Sequence, residues 1–231
     1  AIDHWPVNSL YPFGHYVRSL GKDGDKSVET QVLLHEFDVP HESFTDAVMA
    51  CLPPINWKIT EDMVTENGRV DMRHVPVVSI DPPGCKDIDD ALHCTVLANG
   101  NLEVGVHIAD VTYFVDPGSA LDKEAMHRST STYLVERRLD MLPSYLTTQL
   151  CSLRSKEDHL AFSVIWEMDR NAKIIDVKFF KSVIHSVASL TYDEAQAMLD
   201  DKSHEDEISK SVRLLNMLAR IFNQVFYSYE K

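Results

Sequence analysis

Apolar positions along the chain follow two different periods, and a polar stretch separates them. From Glu29 to Asp38 the spacing is helical, with Val32, Leu33 and Phe37 on one side. A second short helix is expected from Phe44 to Leu52, ended by Pro53-Pro54. Ahead of both, residues 10–20 read as a short strand after a turn. Residues 53–75 are polar and irregular, with Asn67-Gly68 as a turn, and are expected to form a linker.

Strand-like patterning follows. Val77-Val78-Ser79-Ile80 is apolar and β-branched, and it stops at Asp81-Pro82-Pro83-Gly84. Ala91–Leu97 and Leu102–Ile108 flank Asn99-Gly100, a strong two-residue hairpin signal. Leu102, Val104, Val106 and Ile108 alternate, so one face is expected to be buried. Leu160–Met168 and Ile174–Val187 form a second hairpin around Arg170-Asn171. Helical spacing returns at Ala120–Arg128 and at Thr191–Leu199, where Thr191-Tyr192-Asp193-Glu194 has the capping-box pattern. Ile208, Val212, Leu215, Ala219 and Phe222 trace one face of a final long helix.

Composition narrows the class only slightly. A hydrophobic share of 44% and a charged share of 25% are those of an ordinary globular chain. No apolar run approaches the roughly 20 residues of a membrane span, so no membrane partner is expected. Ala1-Ile2-Asp3-His4-Trp5-Pro6 has neither signal-peptide character nor an initiator Met, and the chain is expected to begin inside a longer protein. Cys51, Cys85, Cys94 and Cys151 show no C-x-x-C spacing, which excludes a zinc knuckle or redox motif and leaves free thiols in a reducing compartment. The net charge of −14 works against a nucleic-acid partner, which usually meets a basic footprint. Two features offset it. A metal site needs carboxylates, and bound metal cancels part of their charge. Much of the acidic excess lies in Asp193-Glu194, Asp200-Asp201 and Glu205-Asp206-Glu207, on solvated helix faces. Arg128, Arg137, Arg138 and Arg154 form a looser basic group.

Residues 79–93 concentrate the chemistry. Asp81, Asp87, Asp89 and Asp90 fall within ten residues, and Pro82-Pro83-Gly84 is expected to bend the chain so that the triplet returns to Asp81 as one pocket of oxygens. If residues 87–89 are extended, Asp87 and Asp89 point one way and Asp90 the other. Like charges packed this closely raise a carboxyl pKa unless a cation intervenes, and Mg²⁺ or Mn²⁺ favours oxygen ligands. Two-metal phosphodiester hydrolysis uses carboxylates at this density. The bland alternative is an acidic solvent loop. A calcium loop fails, because the positions that need Gly and Glu hold Lys86 and Leu92. His93 and His107 are expected as core histidines, Asp110 as a turn cap, and Met141–Leu146 as core.

Asp81-Pro-Pro-Gly-Cys-Lys-Asp87-Ile-Asp89-Asp90-Ala-Leu-His93 resembles the catalytic motif of the ribonuclease II (RNB) family, in the form carried by its exosome-associated members. Leu102-Glu-Val-Gly-Val-His-Ile-Ala-Asp110-Val, Tyr133-Leu-Val-Glu-Arg-Arg-Leu-Asp-Met-Leu-Pro143, Leu150-Cys-Ser-Leu-Arg154 and Phe162-Ser-Val-Ile-Trp-Glu-Met168 follow in the family's order. Trp5-Pro6 and Tyr11-Pro-Phe-Gly-His-Tyr-Val17 resemble the end of the family's second cold-shock domain.

The resemblance implies an α/β (α+β) fold, with a mixed, largely antiparallel sheet of an RNB-type catalytic domain flanked by helices. It implies that residues 1–52 are the end of a cold-shock OB-fold β-barrel, 53–75 a linker, and 76–231 the first, incomplete portion of the RNB domain. The implied activity is a processive 3′→5′ exoribonuclease that releases nucleoside 5′-monophosphates with Mg²⁺, or Mn²⁺, held by Asp81, Asp87, Asp89 and Asp90. Asp89 is the residue whose Asn substitution is expected to hurt catalysis most. Tyr133 would stack on a base. The residues themselves leave Arg137 and Arg138 two roles, against phosphate or at a solvated strand end. Single-stranded RNA and exosome core subunits are the implied partners, in the nucleus, nucleolus and cytoplasm. The family brings further site residues from beyond Lys231, so the isolated piece is expected to be weak or inactive. A second reading is a truncated, non-catalytic RNA- or exosome-binding protein that keeps the fold. A third is an acidic globular domain.

Overall fold

The computed structural model describes residues 1–65 and 68–228. In chain order the elements are β1 (Ile2–His4), β2 (Phe13–Gly14), α1 (Lys26–Glu36), α2 (Asp46–Met49), α3 (Glu61–Thr65), β3 (Val70–Asp71), β4 (Val77–Asp81), β5 (Asp90–Val96) and β6 (Leu102–Ala109). They continue with α4 (Ala120–Arg128), β7 (Thr132–Tyr133), β8 (Arg138–Leu139), β9 (Asp158–Met168), β10 (Ile174–Thr191), α5 (Tyr192–Asp200) and α6 (Glu207–Ser228).

The main sheet has the order β3-β10-β4-β5-β6-β9. Strand β10 is antiparallel to β9 over Ile174–His185 and parallel to β4 over Ser186–Thr191, so the order closes on itself. Strand β3 adds in parallel at Ser182-Val183, and the other neighbours are antiparallel. The sheet is therefore mixed and largely antiparallel, as expected.

Helices α5 and α6 cover one face. Val78, Leu190, Ala195 and Val212 form one buried cluster there, and Cys94, Leu102, Val104, Met168 and Leu218 another. Thr191 and Glu194 make the reciprocal cap: the Glu194 amide donates to the Thr191 hydroxyl at 3.3 Å, and the Thr191 amide to the Glu194 carboxylate at 2.7 Å. The Cys94 amide of β5 donates to Ser211 Oγ of α6 at 2.8 Å. That bond satisfies a buried strand donor and pins the helix to the sheet.

The opposite face carries small and polar side chains. His93 Nδ1 lies 2.8 Å from His107 Nε2, His107 Nδ1 lies 2.7 Å from Ser163 Oγ, and Ser163 Oγ lies 2.6 Å from Ser182 Oγ. A buried hydrogen-bonded row thus crosses β5, β6, β9 and β10. Burial lowers the His93 pKa, and burial with the neighbouring His93 pushes His107 down to about 3. Both are neutral core histidines, as expected. Gly105 stands opposite His93 across the β5–β6 ladder, and its missing side chain leaves the room in which the two rings meet.

Several local expectations change. Residues 10–20 contribute only β2, which follows Pro12 and pairs with the short β1. Helix α1 starts at Lys26 because Asp25 accepts from the Ser27 amide, and it buries Leu34 while Val32, Leu33 and Phe37 stay exposed. The second helix is trimmed to α2, capped by Thr45. Residues 53–75, expected as a linker, carry α3 and β3 and bury Val64, Met72 and Val75 in the main core. Arg69 is buried there against Asp110 and the Ser182 carbonyl, while Lys58, Thr60, Glu61 and Asp62 are exposed. Gly68 has φ +64°, whereas Asn67 of the expected turn lies outside the described residues. On β6 the alternation gives way at Ile108, which is 43% exposed on the rim of a cavity described below. The cysteines are free thiols, with burial pushing Cys94 and Cys151 up to about 12.

A Cβ on Gly105 would lie 2.1 Å from His93 Cε1 and 2.9 Å from His107 Nε2. Gly105→Ala should therefore cost about 1–3 kcal/mol in equilibrium urea unfolding. An unchanged midpoint would mean that the ring pair moves aside freely.

Candidate active site

Asp81 ends β4 in register with Thr191 of β10. The Cys85 amide then donates to the Pro82 carbonyl at 3.1 Å, and Gly84 takes φ +80°. This is a type II turn, with Pro and Gly at the positions that turn demands. Beyond it the chain is held from both sides. The Ile88 amide donates to Ser152 Oγ at 3.1 Å, the Leu153 amide donates to the Ile88 carbonyl at 2.8 Å, and the Ala109 amide donates to the Asp89 carbonyl at 2.9 Å. Ile88 itself is buried.

Asp87 and Asp89, on either side of Ile88, consequently line the same cavity of about 440 Å³. Asp90 opens β5 and is not among the lining residues. Tyr133, Asp140, Met141 and Cys151 complete the walls, with Leu146 and Thr147 from a π-type turn over Leu146–Leu150. Such turns recur at functional sites because the wider coil displaces side chains from the helical repeat. Tyr133 is 72% exposed at the opening rather than a buried strand residue.

The cluster is electrostatically unsettled. Burial, with repulsion from Asp90 and Asp87, raises the Asp81 carboxyl pKa, and the nearby Ser79 hydroxyl relieves this only in part. Burial together with Asp87 and Asp90 raises Asp89 as well, against the pull of Arg138. Asp81 Oδ2 is buried without a hydrogen bond of ordinary geometry. An orphaned buried oxygen among mutually repelling carboxylates fits a hard divalent cation in its donor chemistry. The arrangement nevertheless differs from one closed pocket of oxygens. Among the described residues no three Asp, Glu, His or Cys side chains are disposed to share an ion. The Arg138 guanidinium ion-pairs with both Asp87 and Asp140, so one carboxylate of the cluster already faces a cation.

The expected basic group is dispersed into separate structural roles. Arg128 is buried, bonded to Glu124 and to the Glu42 and Asp140 carbonyls, with its guanidinium 4.0 Å from the Phe44 ring centroid. Arg154 pairs with Glu157, and Arg137 is exposed. Asp110 is not a side-chain cap. It is buried, with Arg69 Nη2 donating to it at 2.5 Å, Lys181 Nζ at 3.2 Å and Thr112 Oγ1 at 2.6 Å. Arg69 Nη1 also donates to the Ser182 carbonyl at 3.3 Å, and so ties the former linker to the polar row across the sheet. The sequence held no local signal for Arg69, since its partner lies 41 residues away. Asp140 went unnoticed as well, because it sits among core residues.

Comparison with known proteins identifies the lineage. A model of the RNB domain matches residues 69–226. The chain belongs to the RNB-domain family. A model of the Dis3-like cold-shock domain 2 matches residues 1–38. The RNB chain is 57% identical over 224 residues to the exosome complex exonuclease RRP44 of Mus musculus, covering 97% of this chain and 23% of that protein. It therefore spans about a quarter of that relative's length. Its fold is shared with Mycoplasma genitalium RNase R in complex with double-stranded RNA, at a TM-score of 0.82 and 22% identity, over 96% of this chain and 40% of that one. It is shared too with yeast Ssd1, described as a pseudonuclease, at a TM-score of 0.74 and 24% identity, over 91% and 26%. An RNB fold alone does not settle activity.

Removing the buried anchor should be costly. Asp110→Asn is expected to lose about 3–5 kcal/mol of stability at neutral pH, since it leaves Arg69 uncompensated. Burial opposes the Asp110 charge, but Thr112, Arg69 and Lys181 outweigh it and hold the carboxyl below its usual range. Its contribution is then present above the unfolded value of about 3.9 and is lost as pH falls through the lower folded value. Urea unfolding across pH should show the gap between wild type and variant widest near neutrality and closing in acid. A pH-independent gap would show that the charge is not what stabilises.

Proposed function

We propose that this chain carries the carboxylate half of a 3′→5′ exoribonuclease that hydrolyses single-stranded RNA to nucleoside 5′-monophosphates. The observation that carries the reading is that Asp87, Asp89 and the solvent-facing Tyr133 line one cavity. Asp81, Asp87, Asp89 and Asp90 would hold the divalent metal, Mg²⁺ with Mn²⁺ as the alternative. When bound, the metal supplies charge stabilisation to the attacking and leaving oxygens of the displacement. The protein's own part is positional. The turn at Pro82-Pro83-Gly84 and the bonds to Ile88 fix where the carboxylates stand, and Tyr133 offers a stacking face that accepts any base. Arg137 is free to approach phosphate from solvent, whereas Arg138 would first have to leave its carboxylates.

The identity with an exosome exonuclease supports exosome core subunits as partners of the whole protein. We propose further that the whole protein works in the nucleus, nucleolus included, with a cytoplasmic share. The rival reading, a non-catalytic RNA- or exosome-binding protein, draws on the ion pair that occupies Asp87.

Calorimetric titration with Mn²⁺ tests the metal assignment, and Mg²⁺-dependent decay of single-stranded RNA separates the two readings. The wild-type chain should bind, and Asp89→Asn should weaken binding by about tenfold or more, equivalent to ~1.4 kcal/mol. Superimposable isotherms would sink the metal assignment. In fluorescence anisotropy with single-stranded RNA, Tyr133→Ala should lose about 1–3 kcal/mol, the worth of one stacked base. Undiminished affinity would remove Tyr133 from the RNA path.

A further inference from the structure

Arg138 sits on the second strand of the small β7–β8 hairpin, paired with Thr132-Tyr133. Its side chain is mostly buried, at 20% exposure, between Asp87 at 23% and Asp140 at 16%. The guanidinium carbon lies 6.0 Å from the centroid of the Tyr133 ring on the same hairpin. One cation therefore contacts a carboxylate of the Asp cluster, a carboxylate outside it, and the exposed ring at the mouth of the cavity. Arginine stays charged at any working pH and presents a rigid fork that can serve two carboxylates at once. Any cation that draws on the Asp87 oxygens competes with that fork.

We propose that Arg138 is an internal competitor for the metal site: divalent metal binds by displacing the guanidinium from Asp87, and Asp140 is the residue that receives and retains it. This rests on the reading of the Asp cluster as a metal site. It goes further in giving Arg138 a role directed at Asp87 rather than at phosphate, and in giving Asp140 a function. Asp140 is then a positioning residue that acts through Arg138. With Asp140 present, the guanidinium keeps a partner after leaving Asp87, so the displacement does not strand a partly buried charge. Without it, Arg138 has Asp87 alone and holds it more firmly. The hairpin bearing Tyr133 is thereby coupled to the state of the carboxylates, because the residue released from Asp87 is anchored on that hairpin.

Mn²⁺ titrations of the full 231-residue chain, read by calorimetry with thermal unfolding as a fold control, test this through changes of opposite sign. Arg138→Gln should tighten Mn²⁺ binding about two- to fivefold, the range expected when a competing ion pair is removed. Asp140→Asn should weaken it about threefold. Arg137→Gln removes the same charge one residue away and should leave the affinity within about twofold. In the Arg138→Gln background, Asp140→Asn should have no further effect, which is the signature of action through Arg138.

Unchanged or weaker binding by Arg138→Gln overturns the proposal. So does equal tightening by Arg137→Gln, which would show a general charge effect. A full loss from Asp140→Asn without Arg138 overturns it too, since Asp140 would then act on the ion itself. If Arg138→Gln does not fold, Asp140→Asn decides alone, and tighter or unchanged binding is the adverse result. Uptake by Arg138→Gln when wild type takes up none supports the proposal in its strongest form. No uptake by any variant defeats the metal-site reading and this inference together, whereas wild-type uptake indifferent to Arg138 defeats only the inference.

Discussion

The two backbone bonds at Ile88 govern the geometry of everything chemically interesting in this protein. One is donated to Ser152 and the other is accepted from Leu153, and between them they flatten the chain where four carboxylates would otherwise repel it into solvent. With the Ile88 side chain buried beneath, the flanking Asp87 and Asp89 have one shared direction left to them. Repulsion among these acids is held in check by uncharged backbone ties and offset in part by the Arg138 guanidinium. The tie is also non-local, since the loop that supplies it lies 64 residues further on. A site of this kind belongs to the fold rather than to the motif that names it.

The rest of the core serves the same end by different means. Arg69 and Asp110 lock the segment entering the sheet to the end of β6, and the row from His93 to Ser182 joins four strands by buried hydrogen bonds. Such rows are stable only when every member finds a partner. His93 Nε2 is the weak point, with Glu103 3.5 Å away as its nearest charged neighbour. Burial keeps both histidines neutral, so the row remains a set of dipoles and adds no charge to the sheet.

How much of this was legible in the sequence depended on the range of the interactions. The Thr191–Glu194 cap and the Ala120–Arg128 helix are written within a few residues and appear where the pattern placed them, and the hairpin at Asn99-Gly100 forms with its turn one residue earlier, over Leu97–Gly100. The same holds for the shared direction of Asp87 and Asp89, which follows from strand-like alternation once the segment is extended. In the stretch 53–75 most polar residues are exposed, as their polarity suggests, but Arg69 is buried against an acid 41 residues away, which no local pattern signals. Arg138 looks available to phosphate in a linear reading, because Asp87, which shares its guanidinium with Asp140, lies far from it in sequence. Charges whose partners are distant look free in a linear reading.

The double pairing of β10 has a consequence for how the molecule comes together. Its first half meets β9 across a short turn, whereas its last residues meet β4 only after the intervening chain has been gathered in. Local hairpins close at small entropic cost, and distant parallel pairings close at a larger one. Asp81 sits at the far end of that slow pairing. Strand β4 also meets β5 at Val78 and Leu92, so the acid that begins the cluster stands on a strand held by one neighbour close in sequence and one far from it.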